Sequence, residues 1–174
     1  VFDDRSARVI AVMPSEEISA ARTAAVSAIA VERTRLPDAQ RLTAIGCGPI
    51  NEWHIRLLGH KHRYQAIVLF DVDPDRAEAL AERMRTLAPE VIVCQSAEEA
   101  VRGSDVIVAA TTVRTPYLEL DWLRRGATVV NVSLDDLTSE VLLQCDRLFV
   151  DDWALIVADQ HRLLGRLGLS LIHI

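Results

Sequence analysis

No stretch of this 174-residue chain comes near the roughly 18 to 20 continuous apolar residues that a membrane-crossing helix needs. No basic, apolar and small-residue signal pattern opens it either, so the expected location is the cytoplasm, with no membrane partner. Cysteine is scarce: Cys47, Cys94 and Cys145 are odd in number, widely spaced and set in or beside apolar segments. That excludes a disulfide framework and points to reduced structural thiols rather than a metal site. Positive charge is outweighed, 19 Lys and Arg against 25 Asp and Glu for a net charge of -6. With no basic run and no interleaving of basic and aromatic residues, nucleic acid is not an expected partner. Aromatics make up only 5% of the chain, apolar residues half and charged residues a quarter. This is a globular profile without repeats or low-complexity segments, long enough for one substantial core or for one domain and a piece of another.

What is present is a strand, a tight glycine turn and a helix between Thr43 and Leu58, then an acid on the next apolar run. The turn reads Gly46-Cys47-Gly48-Pro49-Ile50-Asn51, and Asp71 ends Ala66-Ile67-Val68-Leu69-Phe70. Glycines let backbone approach a pyrophosphate, whose charge then faces the free amides at a helix start, and an acid about 20 residues on can accept ribose hydroxyls. A nicotinamide or adenine dinucleotide is the first ligand to consider. The usual third glycine is Asn51 here, which implies a displaced helix or a side chain turned toward the ligand. The competing reading is a tight turn in a doubly wound domain with another ligand or none.

From Arg41 onward, apolar runs of strand length alternate with helical spacing, the pattern of a parallel sheet covered on both faces. The runs are Leu42–Ile45, Ala66–Phe70, Val91–Cys94, Val106–Ala110, Thr128–Val132 and Leu148–Val150. Six strands in this order predict an α/β, Rossmann-type doubly wound fold. Asp73-Pro74 opens one helix, Ser96 and Glu99 form a capping box before another, and Gly126 should stop a helix ending Trp122-Leu123-Arg124-Arg125. Ahead of the sheet, Arg8–Met13 reads as a strand of a second domain, and Ser19 caps an alanine-rich helix from Ala20 to about Arg33. The expected division is a substrate-domain remnant over 1–18, a linker helix over 19–40, a nucleotide-binding domain over 41–152, and a returning helix over 153–174. The apolar tail Leu169–Ile174 reads as foreign to a fragment that lacks part of its substrate domain.

Chemistry is expected at the carboxyl ends of the strands, where ligands of open parallel sheets lie. Thr111 and Thr112 end one strand and Ser133, Asp135 and Asp136 follow the next. The threonines either reach the cofactor or satisfy a turn. One aspartate could exchange a proton while a hydride leaves an amine-bearing carbon, and Asp136 or Thr138 could instead cap a helix. Arg22 could hold a substrate carboxylate through its fork of donors or simply be solvated. His54 beside Trp53 reads as packing, and Asp151-Asp152 as a helix cap rather than a metal site.

Together, Ile45-Gly46-Cys47-Gly48-Pro49-Ile50-Asn51, Arg22-Thr23-Ala24-Ala25, Ser104–Val108 with Thr111-Thr112, and Val132–Asp136 resemble the ornithine cyclodeaminase/mu-crystallin family over residues 8 to 168. The glycine-proline-isoleucine-asparagine turn, Met13-Pro14-Ser15 and Val150–Trp153 look most like its 2,3-diaminopropionate biosynthesis branch. The resemblance implies NAD as cofactor and oxidation of an amino-acid secondary amine, with hydrolysis to 2-oxoglutarate and 2,3-diaminopropionate, a siderophore precursor. It also implies Gly46, Gly48, Pro49, Ile50 and Asn51 at the pyrophosphate, Asp71 at the ribose, and Thr111, Thr112 and Ser133 beside the cofactor. Arg22 would meet the substrate carboxylate and Asp136 or Asp135 would be the catalytic acid. A homodimer is the implied assembly of the full-length protein. Within the same family, an ornithine cyclodeaminase or a mu-crystallin-like binding protein are the alternatives.

Overall fold

The computed structural model describes residues 1–133, 135–159 and 161–171. Its centre is a five-stranded sheet of β1 (Arg41–Ile45), β2 (Ala66–Phe70), β3 (Glu90–Val93), β4 (Val106–Ala109) and β5 (Thr128–Asn131). All neighbours pair in parallel, in the order β3-β2-β1-β4-β5. The chain leaves β1 toward β2 on one side and later returns to β4 on the other, so the order reverses between β1 and β4. That reversal opens a crevice at the strands' carboxyl ends, and it is the Rossmann-type arrangement the alternation predicts.

Continuous apolar strands follow from burial on both faces. Leu42 and Ala44, Ile67 and Leu69, and Val106 and Val108 meet one face of helices: α1 (Glu16–Thr34), α2 (Pro49–Lys61) and α3 (Pro74–Met84). Ile45, Val68, Ile107 and Ala109 point the other way, toward α4 (Ala97–Val101) and α5 (Ser139–Gln144). Thr43 and Asp105 are polar groups of these layers that are paired, as burial requires. The Thr43 hydroxyl, with no exposure, donates to the Ala100 carbonyl at 3.1 Å and lies 2.5 Å from Ser104 Oγ. Next to Ser104, at the end of the sheet away from the crevice, Asp105 accepts the N–H groups of Gln40 and Arg41, both at 2.8 Å, and pairs with Arg124.

Local signals placed several ends correctly. Asp73 caps α3 by accepting the Asp75 N–H at 3.1 Å, and the Ser96 hydroxyl accepts from Glu99 N–H at 3.1 Å. The Glu99 carboxylate reaches back to Gln95 rather than Ser96, at 2.8 Å. Asp152 caps α6 (Trp153–Ala158) through the Leu155 N–H at 3.1 Å.

Other expectations fail where partners decide the outcome. Arg8–Met13 forms no strand; Val9 makes one isolated bridge with Phe2, and Val12 is 90% exposed. Leu148–Val150 joins no ladder, and Leu148 and Phe149 are exposed, so β5 pairs only with β4. An apolar run carries strand propensity but not the neighbour that would complete its hydrogen bonds. Helix α1 begins at Glu16 after Ser15, and Ser19 lies inside it, its N–H donating to the Ser15 carbonyl at 2.8 Å. Before Gly126 there is only a 3-10 turn at Leu120–Trp122. The segment after Trp153 divides into α6 and α7 (Leu163–Leu171). Ile172–Ile174, the end of the tail expected to be foreign, lie outside the described residues.

Candidate nucleotide-binding site

The glycine turn emerges from β1 at the crevice. Gly46 has φ +87, and a Cβ there would lie 2.5 Å from the Ala110 carbonyl oxygen, so only glycine fits this crossing of β1 and β4. Its N–H donates to Phe70 O at 2.8 Å, while the Ala110 N–H donates to Ile45 O at 3.0 Å. Gly48 is the N-cap of α2 with φ -82, a value any residue adopts. Its reason is space, because an added Cβ would meet nothing within 4 Å.

The helix start supplies donors. Pro49 has no N–H, and the first intrahelical bond runs from Glu52 N–H to Gly48 O at 3.0 Å. The amides of Ile50 and Asn51 precede it and have no intrahelical acceptor, the state in which a helix N-terminus attracts an anion. The residues fit a diphosphate, with open space at Gly48 and the unengaged amides of Ile50 and Asn51 beside it, while the nearby carboxylates of Glu52 and Asp71 are each engaged by donors. Burial pushes the Glu52 carboxyl up, but hydrogen bonds from Arg56 and Arg83 more than offset this and hold it below the usual carboxylate range. Burial, aided by the Asp71 charge, pushes the Cys47 thiol up to about 12, so it stays neutral.

Asp71 faces this turn from the end of β2. Its Oδ2 accepts the Cys47 N–H at 2.6 Å and its Oδ1 accepts the Asp73 N–H at 2.9 Å. Each carboxylate oxygen retains lone-pair capacity for a hydroxyl. Asn51 departs from expectation. Its side chain has no exposure and turns away from the crevice, its amide nitrogen donating to Ile45 O at 2.8 Å, Gly46 O at 2.6 Å and Val108 O at 3.4 Å. Only the Asn51 backbone remains for a ligand.

A second group of predicted residues gathers at the tips of β4 and β5. Thr111 N–H donates to Ser133 Oγ at 2.7 Å, and the Ser133 hydroxyl donates to Ala109 O at 3.3 Å. The Thr111 hydroxyl donates to Asp136 Oδ1 at 2.5 Å. Asp136 is fully buried, its carbonyl accepts the N–H groups of Tyr117 and Leu118 at 3.0 and 2.9 Å, and its Oδ2 has no partner among the described residues. Asp136 is therefore no helix cap, and Thr138 precedes α5 without a side-chain capping bond.

The adjacent acids diverge. Asp135 Oδ1 accepts the Leu163 N–H at the start of α7 at 2.8 Å, and Leu134 between these tip residues lies outside the described residues. Tyr117 was invisible as a site residue in the sequence, because only the pairing of residues 117–118 with 136–137 brings its phenol beside Asp136. Burial first, then the Asp136 charge, pushes that phenol far above its ordinary value, so it stays protonated.

Thr112 and Arg22 are exposed. Arg22 lies two residues, about 200° of helical rotation, from buried Ala20 and from buried Ala24 and so on the side of α1 away from its buried stripe. The structure does not gather it with the turn. His54 is fully buried and donates through Nδ1 to Ile50 O at 2.7 Å. Burial lowers its basicity, opposed by that carbonyl. Trp53 Nε1 donates to Glu17 at 2.8 Å, tying α2 to α1.

The model of the ornithine cyclodeaminase/mu-crystallin family matches residues 1–155. N-((2S)-2-amino-2-carboxyethyl)-L-glutamate dehydrogenase of Staphylococcus aureus is 34% identical over 148 residues, 83% of this chain and 44% of that protein. The crystal structure of CmnK superposes with a TM-score of 0.88 at 35% identity, covering 97% of this chain and 51% of that one. Thermococcus litoralis Δ1-pyrroline-2-carboxylate reductase, in complex with NADH and L-proline, gives 0.69 at 28% identity over 74% of this chain and 40% of that one. The chain spans about half the length of the curated relatives it matches.

Proposed function

Because the chain belongs to the ornithine cyclodeaminase/mu-crystallin family, we propose that it is the nucleotide-binding part of an NAD-dependent amino-acid dehydrogenase. The substrate proposed for the full-length protein is N-(2-amino-2-carboxyethyl)-L-glutamate, by similarity to the staphylococcal dehydrogenase. Its secondary amine is oxidised to an imine, and water then releases 2-oxoglutarate and 2,3-diaminopropionate. NAD accepts the hydride. The observation that carries this reading is the open space at Gly48 over the unengaged amides of α2, flanked by the Asp71 carboxylate.

In this reading Gly46, Gly48, Pro49, Ile50 and Asn51 hold the diphosphate through backbone, and Asp71 takes the ribose hydroxyls. Its charge would repel a 2'-phosphate, which favours NAD over NADP. Thr111, Thr112 and Ser133 shape the floor under the nicotinamide. Of the two acids, Asp136 is proposed as the proton carrier because its Oδ2 has no partner among the described residues, whereas Asp135 is committed to α7. Since solvent does not reach Asp136, its proton would pass by way of the Thr111 hydroxyl. Arg22, on the outward side of α1, would clamp a substrate carboxylate presented by the substrate domain. The proposed division is that domain's remnant over 1–18, the linker helix over 19–40, the nucleotide domain over 41–152 and a return over 153–174. The full-length protein is proposed to be a cytoplasmic homodimer.

Calorimetric titration of the chain with NAD and with NADP tests the cofactor assignment, and tighter NADP binding overturns the role of Asp71. Incubating the full-length protein with N-(2-amino-2-carboxyethyl)-L-glutamate should yield NADH and 2-oxoglutarate in equal amounts. Proline and ammonia from ornithine without net NADH would instead make it a cyclodeaminase. Turnover unchanged in both Asp136→Asn and Asp135→Asn would remove the proposed acid.

A further inference from the structure

We infer that Asn51 is a positioning residue that presets the diphosphate turn from beneath, a role that rests on the nucleotide-binding reading above. The usual fingerprint has glycine here so that helix can lie close on strand. In this chain the position is filled, and the side chain is neither displaced outward nor aimed at a ligand. It is completely buried, with its amide nitrogen at the meeting of three carbonyls, from Ile45, Gly46 and Val108. Convergence of three acceptors identifies the donor end of the amide, and Oδ1 is left without a partner among the described residues. What the side chain does here is donate.

The carbonyl that matters most is that of Gly46. The peptide joining Gly46 to Cys47 is gripped at both ends: Asn51 Nδ2 holds its C=O at 2.6 Å, and Asp71 Oδ2 holds its N–H at 2.6 Å. Gly46 at φ +87 would otherwise allow this plane to rotate, because glycine populates many backbone states. With both ends tied, the plane is set, the next N–H at Gly48 is directed, and the carboxylate of Asp71 is held against the turn. Asn51 and Asp71 thus act as two jaws on one peptide. The consequence runs against the fingerprint, since restoring glycine at position 51 should damage the site.

The test compares the parent chain with Asn51→Gly and Asn51→Ala by NAD titration calorimetry, and by amide hydrogen exchange at Cys47 without nucleotide. Loss of one preorganising hydrogen bond predicts about five- to tenfold weaker NAD binding and a similar acceleration of Cys47 exchange. Asn51→Gly binding NAD as tightly as the parent, or more tightly, overturns the inference. If the parent itself binds no NAD, the nucleotide reading fails, and unchanged Cys47 exchange in the variants is then the result that overturns the clamp. Should the variants not fold, the parent still decides. The side-chain amide protons of Asn51 must exchange slowly with solvent, and rapid exchange refutes the buried clamp.

Discussion

Alanine at Gly46 and alanine at Gly48 should have opposite effects, although the two residues share one turn. At Gly46 the methyl would sit 2.5 Å from Ala110 O and 3.2 Å from its carbonyl carbon, on a residue with φ +87. Neither strand tip can yield cheaply, because Ala110 N–H is bonded to Ile45 O and Gly46 N–H to Phe70 O. Left-handed backbone costs a side chain about 1–2 kcal/mol, and forcing a methyl into a packed contact costs about 1–3 kcal/mol. A loss of about 3 kcal/mol corresponds to a Tm drop of roughly 6–12 °C for a domain of this size. At Gly48, with φ -82 and nothing within 4 Å of the new methyl, the fold should be unharmed or gain about 0.4–1 kcal/mol from a stiffer unfolded chain. NAD binding should nevertheless fall at least about tenfold, since the methyl enters the space assigned to the diphosphate and 1.4 kcal/mol suffices for that factor. Thermal melting of the apo chains and calorimetric NAD titration provide the two measurements. Gly48→Ala binding NAD normally would mean that the open space is not where the diphosphate lies, and the site assignment would fall.

Two further outcomes follow from charge and burial. Removing the guanidinium in Arg124→Ala leaves Asp105, only 6% exposed, dependent on two backbone donors alone; urea denaturation should show a loss of about 2 kcal/mol with NAD affinity unchanged, since the pair lies at the far end of the sheet. Stability should also decline on mild acidification. Burial holds both His54 and His62 below the ordinary 6.5, and Arg35 adds to the effect at His62. The unfolded chain therefore binds more protons as pH falls through 6.5, so stability is fully present above that value and is lost progressively below it, before Glu52, depressed from 4.5, begins to contribute its own loss. Urea midpoints between pH 5 and 8 measure this, and a flat profile there would contradict a buried His54 and a half-buried His62 held neutral by the fold.

Read along the chain, residues 41–131 carry most of the fold in local form. β2 matches its apolar run from Ala66 to Phe70, since a strand buried on both faces needs no alternation to be recognised. Asp73-Pro74 announces α3 because capping is settled within three residues. The glycine turn and Asp71 were equally legible, spaced as the crossover from β1 to β2 requires. Tertiary structure alone decided the rest. The joining of Thr111 with Asp136 and the place of Tyr117 depend on atoms brought together from separate strand tips, and the side Asn51 takes is set by carbonyls of its own turn and of β4. Arg8–Met13 and Leu148–Val150 have strand composition but no ladder. Backbone propensity is a property of a few neighbouring residues, whereas a hydrogen bond across the sheet exists only when a second segment arrives to accept it.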